Sequence, residues 1–497
     1  MFVLEGERDI MKDLKPEEVW DHFLELSKIP RCSGNEGPAR EYVKSIAEDH
    51  GYETDVDEVG NVLVRKPGEI EDASPLVIQS HLDMVCEKTS DKDHDFSKDP
   101  IPIKKEDDWL TADRTTLGAD NGIGVAISLA IMEDEGLRHG PLEFLFTVGE
   151  ETGLDGAKGI KPGYFEGRTL INLDSEEFGN FTIGCAGSGD SWLKIPVEYE
   201  ESGIGKFFEI KIDGLKGGHS GLDIGEGRAN ANKIIGKLLF EAYEKKEDLN
   251  VKTLRLQDIE GGSKRNTIPK EASAVIEIDG QDREILEHIR EVFEKIKDEY
   301  SAVEGGMTLD VKSIESEENR VLKEEYSKMI CDLLVSLPHG VLVMSQEVPD
   351  LVKTSTNLAT VSLDRDEVEI TMMTRSSSHF DLLFTRKRIR TIAENFGGEV
   401  EESDAYPGWE PDIESEILKL SKDVYKETLG GDPVVEALHA GLETGIIGQK
   451  FEGMDMISFG ATLEGAHTPS EKVKISTVEK LWTLVRDILK EFAEKHT

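Results

Sequence analysis

Acidic and histidine side chains stand just past apolar runs in four separate stretches of the chain: His81 and Asp83, Asp120, the pair Glu150 and Glu151, and Asp174. Carboxylate oxygens and imidazole nitrogens in such a series are the donor set of a hydrolase that works with two metal ions. His81 and Asp83 lie two apart on an extended segment, so their side chains share one face. One can then bind a metal while the other holds its imidazole from behind. Alone, that pair also fits an exposed turn. Asp120, before a long apolar run, also fits a helix N-cap, a place compatible with bridging two metals. Adjacent glutamates point in different directions from any regular backbone, so Glu150 and Glu151 have two jobs: one ligates metal and the other serves as general base toward the attacking water. Asp174 supplies a further oxygen, and a balanced set for two ions sharing a carboxylate calls for one more histidine.

The elements that carry these groups must bring them together. Pro75-Leu-Val-Ile-Gln-Ser leads into His81, Pro141-Leu-Glu-Phe-Leu-Phe-Thr-Val into Gly149-Glu150-Glu151, and Thr169-Leu-Ile-Asn-Leu into Asp174. Such runs read as buried strands, and open α/β sheets bind ligands in the crevice outside their carboxyl strand ends. Helical periodicity over Pro16–Lys28 and Glu41–Glu48, then alternating strands and helices to about Asn180, indicate a parallel-rich α/β domain. After Gly187-Ser-Gly the texture changes to strand-like alternations, as in Phe208–Asp213, Ala274–Asp279 and Val368–Met373, interleaved with helices such as Glu284–Tyr300. The α/β texture resumes near Tyr406-Pro-Gly-Trp409 and closes on an amphipathic helix over Thr477–Lys495. The reading is an α/β catalytic domain with a mostly parallel sheet flanked by helices, formed by residues 1–189 and 404–497 and interrupted by an inserted α+β domain over 190–403. Within the insertion, Asn266-Thr-Ile-Pro and Asn357-Leu-Ala-Thr each precede a strand and a helix, an outline that fits either a duplicated subdomain or two unrelated units.

A chain of 497 residues is too long for one ordinary core, which agrees with two domains. A net charge of -44 repels nucleic acid and anionic membranes. It fits a solvated acidic surface, suited to a salt-rich cytoplasm or to drawing in cations and basic substrates. The opening residues show no secretion-signal pattern, and no apolar run approaches membrane-spanning length. Cys32, Cys86, Cys185 and Cys331 show no paired spacing, which predicts reduced thiols and a cytoplasmic location. Cys86 is close enough to His81 to invite a metal-ligand reading, against which stands a small core residue.

Six segments together carry a family resemblance: Ser80-His-Leu-Asp83, Gly118-Ala-Asp-Asn-Gly122, Gly149-Glu-Glu-Thr-Gly153, Leu173-Asp174, Gly217-Gly-His219-Ser-Gly221 and Gly465-Ala-His467. Their order and spacing resemble the M20 family of co-catalytic zinc peptidases almost throughout the chain. Asn266-Thr-Ile-Pro269, Ala405-Tyr-Pro-Gly-Trp-Glu-Pro411 and His439-Ala-Gly-Leu-Glu443 most resemble its aminoacyl-histidine dipeptidase branch, which includes the cytosolic nonspecific dipeptidases. The resemblance implies that Asp120 bridges two ions, Zn2+ first and Mn2+ or Co2+ as alternatives, with His81 and Asp174 completing one site and Glu151 and His467 the other. It implies that Asp83 orients His81 and that Glu150 is the general base. His219 would act from the insertion as a lid residue stabilising the oxyanion, with Asn266 and Arg375 as lid contacts to the oxyanion or the substrate carboxylate. Glu443 and Gly445 would help fix the substrate's termini, in a loop where Thr444 replaces the cysteine of many relatives.

Asp at position 174 resembles the aminopeptidase and dipeptidase members more than the carboxypeptidases and deacylases, favouring a small peptide with a free amino end. The expected activity is hydrolysis of dipeptides, Xaa-His among them, with a homodimer through the lid as a possible assembly. An aminotripeptidase or related amidohydrolase would share every metal ligand. A non-catalytic peptide-binding protein would have lost ligands or base, and none is missing here.

Overall fold

Long apolar runs in this chain become strands buried on both faces, and the ends of those strands are where its polar chemistry collects. The computed structural model describes residues 14–316 and 318–496. The opening segment read as lacking a secretion signal lies outside the described residues. The chain forms two compact units. The first runs to Gly184 and resumes over Pro411–Ala437 and Leu442–Thr497; the second comprises Cys185–Glu410 with Leu438–Gly441. These limits differ by a few residues from 189/190 and 403/404. The strand Gly187–Pro196 pairs along its length with Glu367–Ser376, so its glycines already belong to the second unit. Ala186 N–H bonds the carbonyls of Leu438 and Ala440, which draws that short return segment to the second unit as well.

The sheet of the first unit has eight strands in the order Glu53–Val56, Val62–Lys66, Leu142–Thr147, Leu76–His81, Thr169–Asn172, Asp455–Ser458, Asn180–Cys185 and Val434–Leu438. Its four central strands, from Leu142–Thr147 to Asp455–Ser458, run parallel. Val62–Lys66 and Asn180–Cys185 flank them antiparallel, and Glu53–Val56 pairs antiparallel with Val62–Lys66. Leu76–His81 and Leu142–Thr147 are buried at every residue, as parallel strands covered on both faces must be. The helix Ala119–Glu133 is apolar nearly all round and almost wholly buried. The closing helix Ile475–Lys495 buries its stripe of Val478, Leu481, Leu484, Val485, Ile488, Leu489 and Phe492. Polar side chains interrupt the sheet in one belt just below the carboxyl strand ends. There Asn172 Nδ2 donates to Gln79 Oε1 at 2.6 Å and Gln79 Nε2 to Thr147 Oγ1 at 3.1 Å, a chain of bonds that sets strand register as well as satisfying buried polar groups.

The second unit is built on a nine-stranded antiparallel sheet that includes Lys206–Asp213, Ala272–Gly280, Val251–Gly261, Val352–Asp364 and Glu367–Ser376. The helices Ala231–Lys245, Asp282–Glu299, Glu324–Ser336 and His379–Asn395 accompany it. Ile234, Leu238, Ile276, Ile289 and Ile370 belong to one continuous core. The two segments that share an outline occupy different settings: Asn266 lies in a turn before the short strand Thr267–Ile268, whereas Asn357 lies inside the long strand Val352–Asp364. No helix among the described residues is long and apolar enough to cross a membrane.

The cysteine expectation is corrected. Cys32 and Cys86 form a disulfide with their Cα atoms 5.7 Å apart, while Cys185 and Cys331 are buried and outside it. Spacing along the chain gave no hint of it, because a backbone bridge between Cys32 and Met84 is what brings the two loops together. Cys86 is therefore not a metal ligand, and thiol usage no longer argues for a reducing compartment. A crosslink across a sequence separation of 54 constrains the unfolded chain by about 4 kcal/mol in the loop-entropy account. Urea unfolding of the C32S/C86S variant is expected to show a loss of that order, and an unchanged midpoint would mean that the bridge does not form in solution.

Candidate active site

His81 is the last residue of its strand and sits in register with Thr147 of the parallel neighbour. Its Nε2 lies 3.1 Å from Asp120 Oδ1 and 3.3 Å from Asp174 Oδ1. His467 Nε2 lies 3.1 Å from the other oxygen, Asp120 Oδ2, and 2.9 Å from Glu151 Oε2. Asp120 thus turns one oxygen to each histidine, and each histidine has a second carboxylate of its own. Local backbone makes this possible. Gly118, at φ 73°, holds the N-cap position of the helix Ala119–Glu133, and Asp120 and Asn121 form a non-helical kink in its first turn. Asp120 is therefore aimed by the kink and does not serve as the cap. His467 itself adopts φ 63°, a left-handed conformation that costs a non-glycine residue roughly 1–2 kcal/mol and persists where the surroundings over-determine it.

Asp83 connects the parts. One of its oxygens, Oδ1, lies 3.4 Å from His81 Nδ1 and accepts the Glu150 N–H at 3.1 Å. The other, Oδ2, accepts the Glu151 N–H at 3.2 Å and the Ser33 hydroxyl at 2.8 Å. A single buried carboxylate therefore orients one histidine and fixes the backbone of both glutamates. Burial works against its charge, but His81, Ser33 and the Glu150 amide outweigh it and hold Asp83 down at about 2.

Charge is concentrated on purpose here. Burial pushes the Glu150 carboxyl well above the usual range, helped by Asp174, Glu443 and Glu151 and opposed by His81. Burial likewise raises Asp174. Hydrogen bonds donated to Asp120 and Glu151 carry His467 up to about 11, and His81 rises because Asp174, Asp120 and Asp83 overcome its burial. Divalent cations satisfy such concentrated negative charge better than protons do. The residues also fit metal ions as donors. Ligand atoms converge within 4.8 Å in three groups: His81, Asp120 and Asp174; Asp120, Glu151 and His467; and His81, Glu150 and Glu151. The buried Glu151 Oε1 makes no hydrogen bond among the described residues, and Asp174 Oδ1 faces His81 Nε2 at 3.3 Å, so both oxygens are placed to take a cation.

His219, Asn266 and Arg375 belong to the second unit and are brought together there. His219 pairs with Thr267 in a two-residue ladder, and the next residue, Ser220, donates its N–H to the Asn266 carbonyl at 2.8 Å. His219 Nδ1 accepts from the N–H groups of Gly221 and Leu222 at 3.3 and 3.1 Å. Its proton therefore sits on Nε2, the tautomer that donates outward. Arg375 Nη2 stands 3.4 Å from that Nε2, so two donors face one another, a pairing that calls for a shared acceptor. Arg375 is buried at 4% exposure with an unpartnered Nε, and burial and Tyr406 are the main influences on its charge. The loop's Gly218 is obligatory: it adopts φ 135°, and a Cβ there would collide with Arg228 and Asp223.

Glu443 and Gly445 are placed differently from expectation. Glu443 is fully buried and accepts from Gln79 Nε2 and Thr147 Oγ1, each at 2.6 Å. It belongs to the polar belt under the site, where burial raises it to about 7, and has no surface to offer a substrate's termini. Gly445 and Thr444 are buried in the helix Glu443–Lys450. Ser33 and Arg31 were missed in the sequence. Ser33 supports Asp83, and Arg31 donates to the carbonyls of Leu82 and Asp83, both at 3.1 Å. The polar turn Arg31-Cys-Ser-Gly-Asn35 following a helix was the available signal, but nothing local ties it to His81.

A parallel-centred sheet with His81 at a strand end, meeting His467 across one shared carboxylate, defines the class of metal-dependent hydrolases. Residues 77–491 match peptidase family M20/M25/M40, and the chain belongs to this family, whose members hydrolyse peptide bonds. The chain is 37% identical over 489 residues to the cytosol non-specific dipeptidase of Escherichia coli (strain K12), covering 98% of this chain and 99% of that protein. Among solved structures, aminoacylhistidine dipeptidase from Vibrio alginolyticus matches with a TM-score of 0.90 and 35% identity, over 97% of this chain and 98% of that one. Aminopeptidase PepT from Bacillus cereus shares the fold, with a TM-score of 0.58 and 17% identity over 97% and 99% of the two chains.

Proposed function

We propose that this chain is a two-metal dipeptidase that hydrolyses dipeptides, Xaa-His dipeptides among them. The observation that carries the reading is Asp120, with one oxygen toward His81 and the other toward His467. His81, Asp120 and Asp174 would hold one ion and Asp120, Glu151 and His467 the second. Mixed imidazole and carboxylate donors suit Zn2+ first, with Mn2+ and Co2+ as substitutes. Such ions, when bound, polarise the scissile carbonyl and make water acidic enough to attack at neutral pH.

The chain's own groups do the rest. Glu150, held by its backbone to Asp83 and pushed toward the protonated side by burial, takes a proton from the attacking water and passes it to the leaving amine. Asp83 keeps the His81 ring oriented throughout. His219 donates from Nε2 to the developing oxyanion, and Arg375 offers its fork to the substrate's carboxylate. A homodimer through the inserted unit, which exposes the stacked pair Phe380 and Phe384, and a cytoplasmic location, as the name of the Escherichia coli relative suggests, complete the proposal.

A hydrolysis screen after chelation and reloading with Zn2+, Mn2+ or Co2+ tests it. Xaa-His and other dipeptides should be cleaved with metal dependence, while tripeptides and C-terminally amidated dipeptides should be poor substrates. Preference for tripeptides would replace the reading with an aminotripeptidase, and metal-independent or absent cleavage would end it.

A further inference from the structure

Behind Asp120 lies a pair of buried, oppositely charged side chains that ligate nothing. Glu471 is 2% exposed, and its two oxygens accept four consecutive backbone amides: Oε2 takes Leu117 N–H at 2.7 Å and Gly118 N–H at 2.9 Å, and Oε1 takes Ala119 N–H at 2.7 Å and Asp120 N–H at 3.2 Å. Arg31, 3% exposed, takes carbonyls of the same segment and its neighbour: Gly118 through Nη2, and Leu82 and Asp83 through Nη1. One side chain thus satisfies the amides and the other the carbonyls of the two loops that carry Asp120 and the His81–Asp83 pair. Their charges balance, since Glu471 is the acid that chiefly supports the Arg31 cation against its burial. Gly118 and Gly122 leave the space for this clamp, because a Cβ at either would stand 2.6 Å from Arg31 Nη2.

We infer that Glu471 is a positioning residue: with Arg31 as counter-charge, it fixes the Leu117–Asp120 backbone so that Asp120 presents one oxygen to each metal position. Four bonds to consecutive amides fill the acceptor sites of this one carboxylate, and all four act on the segment that ends in the non-helical Asp120. Nothing in Glu471 reaches substrate or metal, so its effect is transmitted through the Asp120 backbone alone. The inference rests on Asp120 being the bridging ligand.

The test uses the full-length chain, stripped by chelation, with zinc affinity measured by competition, kcat and KM on a dipeptide, and the melting temperature of the metal-free form. Glu471→Gln keeps size but turns an amide NH2 toward one pair of backbone N–H groups. It should weaken zinc binding by about 10- to 100-fold, the range for partners that orient ligands, and lower kcat with KM little changed. The control is Glu143→Gln, which removes a buried carboxylate that accepts the amides of Glu166 and Gly167 elsewhere in the same unit. It should lower the melting temperature and leave zinc affinity and kcat alone. Should Glu471→Gln not fold, Glu471→Asp, with its charge kept and reach shortened, should show the same direction of change. Zinc affinity and kcat within twofold of native in a folded variant overturn the inference while leaving the two-metal reading intact; a native chain that binds no metal overturns both.

Discussion

Glu150→Ala is expected to retain two bound ions per chain and to lose dipeptide turnover by about 10²- to 10⁴-fold, the contribution of a well-placed proton-transfer group. Each of the other candidate acids pairs with a histidine: Asp120 with both, Asp174 with His81, and Glu151 with His467. Among the described residues the Glu150 side chain has no such partner; its backbone is tied instead, the N–H to Asp83 and the carbonyl by the N–H groups of Gly153 and Leu154. Burial raises its affinity for a proton, which suits a group that must accept one from water and release it to an amine. Removing it should therefore lower kcat and leave KM and metal content near native. Metal analysis beside steady-state rates checks both halves. Because Glu150 also lies in a convergent group with His81 and Glu151, an ion lost together with turnover would reassign it to the ligand set.

Asp120→Ala should deplete both metal positions, which no other single substitution in the site is expected to do. Asp120 is the carboxylate that the group of His81 and Asp174 shares with the group of Glu151 and His467. Its loss leaves His81 with Asp174, and His467 with Glu151, as two incomplete pairs. It also removes the charge that separates two cations, so each ion would repel the other across the gap. His467→Ala is the contrasting case, since His81, Asp120 and Asp174 still stand together and one ion should remain. Metal content after equilibrium dialysis distinguishes these outcomes: near zero for Asp120→Ala and near one for His467→Ala. Full occupancy in the Asp120 variant would remove the bridging assignment.

Much of this was legible before any coordinates. The runs before His81, Glu150 and Asp174 announced buried strands because a strand covered on both faces must be apolar throughout. The acids after them stood out because charge past such a run has to be at a sheet edge. The closing helix could be read from its stripe of Val478, Leu481, Val485 and Phe492, with an error of two residues at its start. Asp120 was harder to place. Its position before an apolar helix suggested a cap, whereas Gly118 caps and a kink aims Asp120 at both histidines.

Other features could not be read because their partners are distant in sequence. Glu443 sits in a segment that resembles a substrate loop, yet it bonds Gln79 and Thr147 beneath the sheet. The Cys32–Cys86 bridge depends on two loops meeting beside Met84, and Glu471 on a return of the chain to residues more than three hundred positions earlier.

The sequence by itself determined the alternation of buried strands and helices, the membership of the peptidase family and the residue types that can bind cations. Each of these is carried by local patterning or by short motifs in order. Only the tertiary structure decided which oxygen of Asp120 faces which histidine, that Asp83 secures both glutamates, that two cysteines pair and that Glu443 and Glu471 work from behind the site. Those outcomes are fixed by distances of a few ångströms between segments far apart along the chain, and residue order alone contains no such distances.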